Sequence, residues 1–161
     1  MSIDSKIYDD FKGYNAYQIG DAEKIIRHRH SKNFSSLIEK IEGCEAKARD
    51  QRQIKILERI LSVKNRMARM KKEVDERDAV FMTFHLKERL AQVDEEKLRE
   101  IDFHVVDLMS HCEQILDSLT CSETDMHIIE KFSSINEYLR EMEEHCHDRM
   151  KVFRKEILER D

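Results

Sequence analysis

Residues 54–84 read IKILERILSVKNRMARMKKEVDERDAVFMTF, and the spacing of their apolar side chains decides the fold class. Ile56, Ile60, Val63, Met67, Met70, Val74, Arg77, Phe81 and Phe84 step alternately by four and three residues, and only Arg77 among them is not apolar. An average step of about 3.5 residues keeps them on one stripe of an α-helix, the pattern by which helices associate in heptad seams. A second stripe runs through Leu98, Ile101, Val105, Leu108, Cys112, Ile115 and Leu119. A third runs through Ile128, Phe132, Ile135, Leu139, Met142, Cys146, Arg149 and Phe153. The predicted fold is therefore all-α, with long helices carrying heptad seams in an elongated hairpin or bundle.

Start signals separate the stripes. Asp94 followed by Glu95 and Glu96 suits a helix first turn, where carboxylates meet the positive end of the helix dipole. Ser122 with Asp125 three residues on, flanked by Cys121 and Met126, has the form of a capping box with a hydrophobic staple. Three main helices are expected, over about residues 36–92, 95–119 and 123–159. Upstream, Asp21 can cap a helix through Ile25 and Ile26, and the serine-rich residues 31–36 mark an expected break. Gly13, Gly20 and Gly43 all fall within the first 43 of the 161 residues, which places the expected loops there. Residues 1–20, with Tyr8, Phe11, Tyr14 and Tyr17, form an expected N-terminal arm ahead of one helical domain over 21–161.

An unbroken first helix would be roughly 85 Å long, about twice the roughly 40 Å diameter of a compact chain of this size. Shorter second and third helices could not cover it unless it bent, near residues 75–78. The uncovered seam, Ile56 to Phe84 as named above, is thus the expected protein-binding surface, for other helical proteins or a second copy.

Composition agrees. Of 161 residues, 39% are charged and 40% hydrophobic, with three glycines and no proline or tryptophan, which favours long helices over sheets. The chain begins with acidic residues in place of a signal peptide's basic start, and no stretch reaches the roughly 18 apolar residues of a membrane span, so a cytoplasmic protein is expected. Cys44, Cys112, Cys121 and Cys146 are too scattered for a zinc knuckle and read as reduced thiols packed in helix seams. The net charge of −5 hides a gradient. Residues 21–72 hold 15 Lys and Arg against 7 Asp and Glu, a net of +8, and residues 73–161 hold 12 against 24, a net of −12. Either the halves pack together or the basic half meets an acidic partner. Lys64, Arg66, Arg69, Lys71 and Lys72 form a basic face that could also contact nucleic acid or an anionic membrane.

Catalytic chemistry finds little to work with. Glycine-rich phosphate loops, nucleophile elbows and His-Glu-x-x-His motifs are missing from the sequence. Glu144 and His147 make a single Glu-x-x-His step, whereas a di-iron bundle needs two, so they are the best residual metal candidates and no cofactor is expected. Glu100 with His104, Asp107 with His111 and Glu123 with His127 have the ordinary spacing of surface helix pairs. A non-enzymatic scaffold or adaptor subunit is the leading expectation. The alternatives are a small acidic helical chaperone of a client helix and a metal-binding bundle.

Ile7-Tyr8, Phe11, Gly20-Asp21, Ile25-Ile26-Arg27, Lys32 and Glu42 align without gaps over about 36 residues. This stretch resembles the Muted subunit of the complex that builds lysosome-related organelles. Gly13-Tyr14-Asn15-Ala16 stand where that family carries Asp-His-Arg-Pro, and Arg29-His30-Ser31-Lys32-Asn33 replace its Phe-Glu-Glu-Lys-Arg. The resemblance implies a non-enzymatic helical subunit of a rod-like assembly serving endosomal sorting.

Overall fold

The computed structural model describes residues 19–76, 95–119 and 124–158. These form four helices and no strand: α1 (Ile19–Asp50), α2 (Ile54–Glu76), α3 (Glu95–Ser118) and α4 (Asp125–Leu158). The all-α expectation holds, and α3 and α4 begin and end within two residues of the expected limits. The first helix does not. It breaks at residues 51–53, well before 75–78, and α1 continues without interruption through residues 31–36.

Both differences have local causes. At the end of α1 the Gln53 amide donates to the Ala48 carbonyl at 2.9 Å and the Arg52 amide to the Arg49 carbonyl at 3.1 Å. These are the paired bonds of a Schellman stop, which requires a left-handed residue between them. Arg52 takes that role with φ 54°. Glycine or asparagine usually stands here, so an arginine at this position hid the turn. The Leu57 amide then donates to the Gln53 carbonyl at 2.9 Å, and α2 is under way. Through residues 31–36, in contrast, Phe34, Leu37 and Ile41 are fully buried at helical spacing. Their burial outweighs the few tenths of a kcal/mol by which serine and asparagine disfavour a helix. Gly20 and Gly43 both lie within α1. At the start of α4 the cap is Thr124, whose Oγ1 accepts from the His127 amide at 3.4 Å. Asp94, Cys121 and Ser122, and Gly13 with the arm through Tyr17, lie outside the described residues.

Side-chain pairs set the arrangement. Lys64 Nζ reaches Glu45 at 2.9 Å and Glu42 at 3.4 Å, so α2 runs antiparallel to α1. His104 stacks on His145 with centroids 5.2 Å apart and His111 on Tyr138 at 5.4 Å, so α4 runs antiparallel to α3. His30 meets Asp102 and Lys40 meets Asp117, which makes α1 and α3 parallel neighbours. Gln53 meets Asp125 and Arg66 meets Glu143, which does the same for α2 and α4. Two antiparallel hairpins thus lie side by side in the order α1, α2, α4, α3 around one core.

That core explains the burial pattern. Along α3, Leu98, Ile101, Val105, Leu108 and Cys112 are buried as the seam requires, and Val106, Met109 and Leu116 are buried beside them. A third buried column widens the apolar face beyond a two-helix seam, because each helix must face two neighbours. Phe132, Ile135, Leu139 and Met142 of α4 close the core opposite Phe34, Leu37 and Ile41 of α1. Cys112 packs among them, and burial pushes its thiol pKa up to about 12, which keeps it neutral.

Candidate interaction surface

The residues expected to bind a partner face inward. Ile56, Ile60, Val63, Met67, Met70 and Val74 are between 0 and 4% exposed and belong to the core formed by all four helices. Arg77, Phe81 and Phe84 lie outside the described residues. Because the chain turns at Arg52, the helix that was expected to be a rod becomes two arms of a hairpin, and the second hairpin covers the seam. Its period was read correctly, and its partner within this structure is the chain itself.

The basic face is likewise engaged. Arg66 and Arg69 converge on Glu143 of α4 at 2.9 and 2.8 Å, and Lys64 bridges back to α1. Hydrogen bonds from Arg66 chiefly, and from Arg69, hold the Glu143 carboxyl below its ordinary pKa against the effect of its partial burial. Lys71 and Lys72 pair one turn on with Asp75 and Glu76. Across the α1/α3 border Lys40 bonds Asp117 at 2.6 Å, with Glu113 at 3.9 Å. The charge gradient along the sequence is therefore met, in good part, by its own two halves.

One polar cluster lies deep in the end of the bundle where α1 and α3 begin. Arg149 donates to Asp102 through Nε at 2.8 Å and Nη2 at 3.3 Å, and His30 Nε2 stands 3.4 Å from the same carboxylate. Asp102 is 1% exposed, Arg149 5% and His30 6%. Burial by itself would raise the Asp102 pKa, but the Arg149 charge first, then the His30 contact, override it and hold the carboxyl far below its usual range. The group ties α1, α3 and α4 at one level, so Arg149, the charged residue in the third seam, makes a buried cross-helix pair. Sequence spacing could not reveal this, because Asp102 is 47 residues from Arg149 and 72 from His30.

Glu144 and His147, the residual metal candidates, are both exposed on α4. Their neighbour His145 turns away to stack on His104 of α3. Among the described residues no three His, Cys, Asp or Glu side chains are grouped to hold a metal ion.

The opposite end of the bundle has a different character. There α1 and α3 finish and α2 and α4 start abreast, joined by the Gln53 side chain, whose Nε2 donates to Asp125 Oδ1 at 3.4 Å. The next residue on each helix is a large hydrophobe in solvent: Ile54 is 70% exposed and Met126 73%. Beside them a cleft of about 320 Å³ enters between the helices, floored by Ile56, Ile60, Leu116 and Phe132 and edged by Lys40, Lys47 and Asp117. Cys44 lines the same cleft, and burial raises its thiol pKa while the nearby Lys47 ammonium partly opposes the shift. The sequence offered one signal for this surface: Ile54 and Met126 lie off the seams, so a helix packed only through its seam leaves them outside. No helix among the described residues is long and apolar enough to cross a membrane. Comparison with protein-family models, curated proteins and solved structures finds no match for this chain.

Proposed function

We propose that this protein is a non-enzymatic helical adaptor, a subunit of a multi-subunit complex, which holds a partner helix against the bundle end where α2 and α4 begin. The observation that carries the reading is the pairing of Ile54 and Met126, both more than two-thirds exposed, at adjacent helix starts. Two large apolar side chains kept in water at one place cost solvation free energy, roughly 1.5–3 kcal/mol each if they could otherwise be buried. An amphipathic helix laid across them would recover that amount through its own apolar face. The closed core supports a folded subunit that presents a surface, in place of an open seam that awaits completion. The resemblance of residues 7–42 to an endosomal sorting subunit suggests the setting.

The reading is tested with Ile54→Glu and Met126→Glu together, in the full chain expressed at its native level in its own host. The unaltered chain should co-purify with a fixed set of helical subunits at constant stoichiometry and elute with them on gel filtration. The double variant should lose that set while its melting temperature stays within a few degrees, since neither side chain is part of the core. A chain that elutes alone, or a variant that keeps the full set, overturns the proposal. A varying population of captured proteins in place of a fixed set would favour a chaperone.

A further inference from the structure

We infer that the cleft between the helix ends is a binding site for an anionic single-chain amphiphile, a fatty-acid-like carboxylate whose tail enters the core and whose head meets Lys47. This goes beyond the adaptor reading and does not depend on it, because the lining of the cleft and the exposed pair Ile54 and Met126 are different residues.

Three features lead there. The cleft, at about 320 Å³, falls within the roughly 300–1,000 Å³ range of small-molecule sites, and its floor of Ile56, Ile60, Leu116 and Phe132 offers a tail nothing but hydrocarbon. The α1 wall is cut low at Gly43, where an added Cβ would meet nothing within 4 Å, so the mouth stays open to a chain-like ligand. The charges at the rim are unequal. Lys40 and Asp117 satisfy each other at 2.6 Å, but Lys47, exposed two turns further along α1, has no carboxylate partner among the described residues. That leaves one cation over an apolar hole, which suits one negative charge on an apolar tail. A nucleotide fits poorly, since several phosphates would face a single ammonium and a polar sugar would lie on the hydrocarbon floor. The Cys44 thiol, kept neutral by its burial, adds to the apolar wall.

The test uses the full chain with decanoate as probe, followed by calorimetry and by NMR of isoleucine methyl groups. Decanoate should bind at one saturable site and shift the Ile56 and Ile60 methyl resonances. Decyltrimethylammonium, with the same tail and opposite charge, should bind at least about tenfold more weakly. Lys47→Glu should reverse that preference, and Gly43→Leu, which projects a side chain into open space at the mouth, should remove decanoate binding without lowering the melting temperature. Non-saturable binding, equal affinity for both head charges, or unchanged affinity in both variants would overturn the inference. So would capture by anionic phosphatidylglycerol vesicles with no binding of free decanoate, since the cations would then serve a membrane surface and the cleft would hold no tail.

Discussion

Removing the Asp102 carboxylate should destabilise the protein more than any exposed charge change, and its size follows from burial. Asp102 is 1% exposed and Arg149 5%, so Asp102→Ala takes from a buried guanidinium the carboxylate that two of its nitrogens bond, at a place with little access to water. Breaking one side of such a pair costs about 3–5 kcal/mol. For a chain of this length each kcal/mol lowers the melting temperature by roughly 2–4 °C, so a fall of about 6–20 °C is expected. Urea unfolding followed by far-UV circular dichroism at neutral pH measures the loss directly. The double variant Asp102→Leu with Arg149→Met removes both charges together and should be as stable as the natural chain or more so, by up to about 4 kcal/mol. Acid separates the two. Because the folded carboxyl is held below its unfolded value of about 3.9, its contribution is complete above that pH and is lost as pH falls further towards the folded value. The natural chain should weaken progressively below about pH 4, and the double variant should show a shallower decline there. A loss under about 1 kcal/mol in Asp102→Ala at neutral pH would refute the reasoning, for it would mean that the guanidinium reaches water unaided.

Other outcomes follow from single positions. Gly43→Ala, inside α1 with room for the added methyl, should raise stability by about 1 kcal/mol in the same urea assay. Arg52→Gly should add up to about 1 kcal/mol by relieving the left-handed strain at φ 54°, whereas Arg52→Val should cost at least as much. Glu143→Gln, which weakens two partly exposed arginine contacts, should cost no more than about 1 kcal/mol in low salt, and the difference should shrink at high salt. Met67→Ala, fully buried in the core, should cost about 2–5 kcal/mol.

Much of the seam was legible because it depends on local spacing. Ile56 through Val74 on α2 and Phe132 through Met142 on α4 are buried where the alternating steps place them, and α3 and α4 start within two residues of their signals. The candidate surface was less legible. Ile54 and Met126 are 72 residues apart, and only the parallel placement of α2 and α4 brings their helix starts together. The cleft needs residues from all four helices, which no spacing rule gathers.

By itself the sequence determined helix, stripe and charge, since helical periodicity is a property of neighbours along the chain and survives any global arrangement. Only the tertiary structure decided what covers the stripes. That choice turned on Arg52, where an ordinary residue adopts a left-handed conformation and reverses the chain. An arginine pays about 1–2 kcal/mol for that conformation, and burial of whole helix faces against one another exceeds it many times over. The same packing opened the third buried column of α3 and joined Asp102 to Arg149 and His30. Such contacts are fixed by the free energy of the closed core, to which distant segments contribute together, and so they leave no signature in any one of them.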